Sequence, residues 1–141
     1  MRQELRDVRQ MLTLSLMQQA VASERIKGVT SAARMENPPS DVVSALVDTL
    51  LRDPSVNVRL ACVRALERFS TQPAVRAGVA EAITREESAL VSMALIDFIV
   101  EAMDDMAIDA LRILSQDSER DEAVREKAAG AVERLVSGGR L

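Results

Sequence analysis

The chain of 141 residues contains no histidine, tryptophan or tyrosine, and its only aromatic residues are Phe69 and Phe98. Histidine is the most common general base and a very common metal ligand, so its absence argues against most hydrolases and most zinc sites. The single cysteine, Cys62, excludes an internal disulfide framework and is expected to pack as a small apolar side chain. Four prolines and five glycines are too few for a β-protein rich in turns. Composition therefore favours one domain of closely packed helices.

Long apolar runs and basic clusters are also scarce. The apolar stretch at 11–17 is seven residues long, whereas a membrane-spanning helix needs about 20. Within 86–122, eleven acidic residues face two basic ones, a net charge of −9. A nucleic-acid interface needs a basic face, so no nucleic-acid partner is predicted. The expected location is the cytoplasm, either as a free protein or as the soluble domain of a membrane-anchored one. Sixteen arginines against two lysines favour a bacterial source.

The first segment, 1–36, is predicted to be one long helix, because residues 2–35 hold no proline and a single glycine, Gly28. Gly28 is the expected point of any bend. An apolar row with helical spacing predicts two alternative roles for this helix: a cap that covers the first hairpin, or a coiled-coil element that pairs two copies of the chain. The residues of this row are Leu5, Val8, Leu12 and Leu16.

A spacing of 33 residues then recurs twice, as in the acidic series Asp53, Glu86 and Glu119. Repeats of this length are typical of stacked helical hairpins. The apolar periodicity and the Pro-containing breaks predict six helices, at about 40–52, 55–69, 73–84, 87–102, 104–114 and 121–137. Paired in order, they predict three repeats at 37–70, 71–103 and 104–137, followed by a tail at 138–141. The predicted fold is therefore all-α, with a long N-terminal helix and three hairpins.

These residues resemble the HEAT-repeat family, whose repeats have two antiparallel helices, an Asp in the turn and a Val-Arg pair in the second helix. Asp53 with Val58-Arg59 matches this pattern closely, and Glu119 with Val124-Arg125 matches it well. The middle repeat keeps Glu86 but has Ser92 in place of the arginine. The resemblance covers about 37–137 and implies a right-handed α-α superhelix, a solenoid of the HEAT or armadillo type. We interpret the recurring charged positions as register residues, in which each acid caps a helix and each arginine bonds a turn. They are Asp53, Arg59, Glu86, Glu119 and Arg125.

In that family the second helices line the concave face, where ligands usually bind. The resemblance therefore implies a partner-binding row on the outward positions of these helices. The candidate residues are Leu60, Arg64, Met93, Asp97, Glu101 and Glu126. A protein or peptide is the expected partner, either helical or basic, and no cofactor or metal is expected.

The acidic cluster of the second half supports two interpretations. Carboxylates at helix N-termini are favourable by themselves, and a divalent cation would also accept such oxygen ligands. The cluster consists of Asp97, Glu101, Asp104, Asp105 and Asp109. The function predicted overall is a non-catalytic interaction or scaffold module, such as the soluble part of a larger bacterial regulatory protein. The alternatives are a ligand-positioning protein of the HEAT-like lyase kind and a structural dimerisation domain.

Overall fold

The computed structural model describes Arg2 to Gly138, and every regular element in this range is helical. The all-α, helical-repeat prediction is therefore confirmed. The eight α-helices of the described range are α1 (Arg2–Met17), α2 (Ala22–Ala33), α3 (Ser40–Arg52), α4 (Val56–Leu66), α5 (Pro73–Arg85), α6 (Ala89–Glu101), α7 (Ile108–Gln116) and α8 (Glu122–Gly138). Short 3₁₀ turns follow α4 at Glu67–Phe69 and precede α7 at Asp105–Ala107.

Serine side chains cap the starts of α4 and α6. The Ser55 hydroxyl accepts the Val58 N–H at 3.3 Å, and the Ser88 hydroxyl accepts the Val91 N–H at 3.4 Å. Such caps satisfy N–H groups that a helix leaves without a partner in its first turn. Asp104 accepts the Met106 N–H at 3.2 Å and so begins the 3₁₀ turn, which delays the start of α7. The six helices predicted between residues 40 and 137 are confirmed.

The chain forms two compact units, residues 1–69 and 70–141. In the first unit, α1 and α2 form one antiparallel hairpin and α3 and α4 form another. Equivalent helices of the two hairpins pack together: the first helices, α1 and α3, are in contact, and so are the second helices, α2 and α4. The fully buried side chains of this unit are small or branched and include Val29, Ala32, Val42, Leu46, Leu50, Val58, Cys62 and Leu66.

The prediction of a single long N-terminal helix is wrong. The chain turns between Met17 and Ala22, where the Gln18 and Gln19 N–H groups bond to carbonyls three residues back at 3.2 Å each. Gly28 causes no bend, because it lies buried inside α2. A Cβ atom at this position would lie 2.6 Å from the Met17 backbone nitrogen. Gly28 therefore allows α1 and α2 to approach closely, which any side chain would prevent.

The second unit repeats the arrangement, with the hairpins α5–α6 and α7–α8. Helix α6 lies against α8, and α5 lies against α7. Its buried core is again aliphatic and includes Val75, Val79, Ile83, Val91, Leu95, Ile99, Leu111, Val124, Ala128 and Leu135. The predicted tail, 138–141, lies outside the described residues apart from Gly138, and the division of 37–137 into three repeats stays a prediction. In the described part of the chain, no helix has the length and apolar character that crossing a bilayer requires.

Candidate functional site

The partner-binding row predicted from sequence lies on α4, α6 and α8, the second helices of their hairpins. In the first unit, Leu60 is half-buried and Arg64 is exposed on α4. In the second unit, Met93 is half-buried on α6, and the remaining candidates are exposed carboxylates. These carboxylates are Asp97 and Glu101 on α6 and Glu126 on α8.

A groove of about 440 Å³ runs between α2 and α4 in the first unit. Apolar atoms dominate its lining, since most of its side chains are Ala, Val, Leu or Ile. The lining residues are Ile26, Val29, Thr30, Ala33, Asn57, Leu60, Ala61, Arg64 and Ala65. Sequence reasoning found Leu60 and Arg64 but missed the wall supplied by α2, because α2 was not recognised as the second helix of a hairpin.

The lining of this groove includes one charged side chain, that of Arg64. Arg64 has no hydrogen-bond or ion-pair partner among the described residues, and its guanidinium is available at the groove. Lys27 pairs with Glu24 at 3.1 Å on α2. Arg68 donates a hydrogen bond to the Ala33 carbonyl at the end of α2. The acidic surplus noted in the sequence belongs to residues 86–122, in the second unit.

In the second unit the acidic candidates are partly engaged. Asp97 of α6 forms an ion pair with Lys127 of α8 at 2.9 Å, in a largely exposed position. Asp104 is buried and serves as the cap of the 3₁₀ turn, and Asp109 lies 3.7 Å from Arg112. Among the residues that the structure describes, no three carboxylate or cysteine side chains converge as a metal site would require. These contacts favour the helix-terminal interpretation of the cluster.

The register residue Asp53 is the centre of a network that ties two turns together. Arg25 on α2 donates to both carboxylate oxygens, with Nε–Oδ2 at 2.7 Å and Nη2–Oδ1 at 3.1 Å. The same guanidinium donates to the carbonyls of Gln19 and Ala20, at 3.0 and 2.8 Å, in the α1–α2 turn. The hydrogen bond that Arg25 donates to the Asp53 carboxylate raises the pKa of Arg25 above its ordinary value. The network therefore joins the α1–α2 turn to the α3–α4 turn.

Arg59 is linked to the same turn through the backbone of Asp53. The Arg59 Nη1 atom donates to the Asp53 backbone carbonyl at 2.8 Å. The Asp53 carboxylate does not cap the helix itself, because it accepts the N–H of Ser55 at 2.9 Å and Ser55 is the cap. Arg25 was not identified from the sequence. Arg25 lies 33 residues before Val58, at a register position where the later repeats have a buried valine. A charged residue at this position was the signal that could have pointed to it.

In the second unit an arginine outside the predicted set connects the turns. Arg120 donates to the Glu86 carbonyl, to the Thr84 carbonyl at 3.0 Å and to the Asp117 carboxylate at 3.3 Å. The Glu86 carboxylate is buried and accepts the Ser88 N–H at 3.0 Å. Glu86 therefore repeats what Asp53 does in the first unit, as the sequence register indicated.

The two register residues near α8, Glu119 and Arg125, do not show the predicted contacts. Glu119 is exposed and does not cap α8, because Asp121 accepts the Ala123 N–H at 2.9 Å. The short aspartate side chain reaches an N–H group two residues ahead, which suits this position. Arg125 has a buried Nε atom without a hydrogen-bond partner in the described part of the chain, so no bond to an acidic turn is observed for it.

The apolar row on α1 faces solvent. Leu5, Val8 and Leu12 are 65%, 53% and 60% exposed, and Leu16 is half-buried. Met11, at 69% exposure, extends the same surface. The cap interpretation expected this row to cover the first hairpin, but the row is exposed. Helix α1 uses other residues for packing, which are Thr13 and Met17, both buried.

The thiol of Cys62 is buried and chemically quiet. Burial, helped by the negative charge of Asp53, raises the pKa of Cys62 to about 12. Thiol reactivity requires the thiolate, so Cys62 remains protonated at neutral pH. The packing role expected from sequence fits this environment.

Comparison with known proteins adds one match. The family model described as HEAT repeat matches residues 42–72, a segment that contains most of α3, the turn at Asp53, α4 and the following 3₁₀ turn. A search of curated proteins finds no match to the chain. The recognition made from Asp53 and Val58-Arg59 is confirmed for this segment.

Proposed function

Because the chain contains a HEAT repeat, we propose that it is a non-catalytic protein-interaction module whose docking surface is the α2–α4 groove. HEAT repeats commonly act as interaction or scaffold modules, which supports the general class. The groove is the observation that carries the specific proposal. It combines an apolar lining with the unpaired guanidinium of Arg64.

The groove favours a helical segment with apolar and acidic residues. Helix-binding grooves take apolar side chains at helical spacing, and the small side chains Ala33 and Ala61 leave room for them beside Leu60. Arg64 would pair with a carboxylate at the edge of that segment. The basic partner predicted from the acidic residues of α6 and α8 concerns the second unit and stays a prediction.

The test uses a designed amphipathic peptide of leucine, alanine and glutamate, titrated against the isotope-labelled chain and followed by methyl NMR. Shifts are expected at Ile26, Ala61 and Leu60. Leu60→Glu should weaken binding by about tenfold or more, because it places a charge in an apolar groove. Ile113→Glu adds the same charge at an exposed apolar side chain of α7 that does not line the groove, so this control should bind normally.

If the Leu60→Glu variant bound the peptide with unchanged affinity, the groove would be refuted as the docking surface. Tighter binding of a second peptide, with lysine in place of glutamate, would refute the assigned role of Arg64. These outcomes separate the site from the charge of its partner.

A second candidate function is structural assembly through α1, and the exposed row at Leu5, Val8, Met11 and Leu12 favours it. Four large apolar side chains on one helix, each more than half exposed, are typical of an interaction surface. Concentration-dependent mass of the full chain is the measurement that tests it. A role within a larger bacterial regulatory protein, and a cytoplasmic location, stay predictions.

A further inference from the structure

The α1 helix has two faces with different surroundings. Its packing face holds Thr13, whose hydroxyl lies 2.7 Å from that of Ser31, and Met17, which contacts Gly28. Gln10 bonds both Asp41 carboxylate oxygens, at 2.9 and 2.7 Å, and so fixes α1 on α3. Residues 2–9 are all exposed. One side of this segment borders a pocket lined also by residues of 34–39, whereas Leu5 and Val8 are more than half exposed to solvent.

An exposed apolar face on a helix of this kind is expected to be covered by a partner. Isolated helices of about this length are marginal in water, since most helical stability in proteins comes from packing of an apolar face. At 3.6 residues per turn, Leu5, Val8 and Leu12 share one face, and Thr13 and Met17 lie on a different face. A helix laid on that face would leave the packing of α1 on α2 and α3 undisturbed.

The charges beside the row make it self-complementary in one orientation. Leu5, Val8 and Leu12 occupy a, d and a positions of a heptad, which places Glu4 at g and Arg9 at e. In two parallel helices, g of one helix lies beside the following e of the other, so Glu4 would face the partner's Arg9. Antiparallel helices would instead oppose e to e, which brings Arg2 against the partner's Arg9. Like charges in that position are unfavourable.

We infer that α1 pairs in parallel with α1 of a second copy of this chain, with Leu5, Val8 and Leu12 in the seam and Glu4 bonded to the partner's Arg9. This inference rests on the second candidate function, assembly through α1. It names the occupant of the apolar row, the orientation of the two helices and the charge pair that selects it.

The first experiment is sedimentation equilibrium of the full chain across the micromolar to millimolar range. A reversible dimer is expected. Leu12→Glu should raise its dissociation constant by about thirty-fold or more, as expected for a residue at the centre of an interface. Ile113→Glu adds the same charge at a 68%-exposed apolar site on α7 and should leave the dimer unchanged. A wild-type chain that stays monomeric throughout would overturn the inference.

The second experiment tests orientation by reversing the charge pair. Glu4→Arg and Arg9→Glu each turn two attractive contacts per dimer into repulsive ones, and each should weaken the dimer by about five- to thirty-fold. The double variant restores both contacts and should recover the wild-type dissociation constant. On oxidation, the Leu5→Cys variant should form a disulfide-linked dimer, because parallel pairing places position 5 of one copy beside position 5 of the other.

The outcomes separate orientation from assembly. A dimer that Leu12→Glu disrupts, but that shows no rescue by the double variant, would refute the parallel register while leaving assembly through α1 intact. A monomer whose Leu12 mediates binding to anionic vesicles would refute the second-copy occupant altogether, since the arginines flanking the row would then serve a lipid surface.

Discussion

Gly28→Ala should destabilise the protein although it replaces a glycine inside a helix. The added Cβ would lie 2.6 Å from the Met17 backbone nitrogen, 2.7 Å from Met17 Cγ and 3.0 Å from the Leu16 carbonyl carbon. Two of these three atoms belong to the backbone of α1. Rotation of the Met17 side chain therefore cannot relieve the clash, and α1 must move away from α2.

The magnitude follows from two opposing effects. Replacing glycine with alanine in a helix interior stabilises by about 1 kcal/mol, because alanine has less backbone entropy to lose. Overpacking a buried contact costs about 1–3 kcal/mol, and the upper half of that range applies where backbone atoms obstruct the new group. The free energy of unfolding should therefore fall by about 1–2 kcal/mol.

Gly130→Ala is the matched control. Gly130 lies inside α8, and a Cβ there would meet nothing within 4 Å. Only the helix-propensity gain remains, so this variant should be more stable by about 0.5–1 kcal/mol. The two variants carry the same substitution with opposite expected signs. Urea unfolding followed by circular dichroism measures both free energies. Equal stabilisation by the two substitutions would refute the close contact of α1 with Gly28.

Two further predictions concern buried groups. Arg120→Ala removes the donors that bond the Glu86 and Thr84 carbonyls, and urea unfolding should show a loss of about 1–3 kcal/mol, whereas the exposed Arg112→Ala should change stability by no more than about 0.5 kcal/mol. A loss for Arg120→Ala no greater than for Arg112→Ala would contradict the turn-bridging role. The pKa of Cys62 is raised from 9.0 to about 12, so the unfolded chain releases a proton between these values that the folded chain keeps. Stability should therefore fall with rising pH from about 9 by up to about 1.4 kcal/mol per unit. Unfolding midpoints between pH 8 and 11 should show a flatter dependence for Cys62→Ala, and equal slopes for both chains would contradict the raised pKa.

Local signals made the helices from Ser40 onward predictable. Ser55 and Ser88 are good caps, Pro73 suits the first turn of α5, and apolar residues recur at helical spacing between them. Because these signals act over a few residues, they can be read without knowing the tertiary structure. The match of the HEAT family model to 42–72 lies in this well-marked region.

The first hairpin was missed because its signals conflict. The turn at 18–21 has neither proline nor glycine, so no local breaker marks it. The conspicuous leucines of α1 face solvent, whereas the packing positions include the polar Thr13. Thr13 and Met17 lie 33 residues before Leu46 and Leu50, the buried residues of α3. Extending the 33-residue register towards the N-terminus would have identified the hairpin. Hydrophobicity alone instead pointed to the exposed apolar row, which lies on a different face of α1.

The candidate site was predictable only in part. The register placed Leu60 and Arg64 on the outward side of α4, but a groove also needs a second wall. Its volume depends on the distance between α2 and α4, which tertiary packing sets. Arg68 also bonds the Ala33 carbonyl at the end of α2, a contact that tertiary packing sets as well. Sequence positions could therefore supply contact residues without supplying the shape of the surface.

The two turn networks share the position of the N–H acceptor but not the position of the bridging arginine. Asp53 and Glu86 occupy equivalent positions and accept equivalent N–H groups, from Ser55 and Ser88. Yet Arg25 precedes the carboxylate that it binds by 28 residues, whereas Arg120 follows the Glu86 carbonyl that it binds by 34. A cap is a local requirement of each helix, so it recurs with the repeat. The long guanidinium side chain can reach a neighbouring turn from either side, so selection for a bridged pair of turns leaves the arginine's position open.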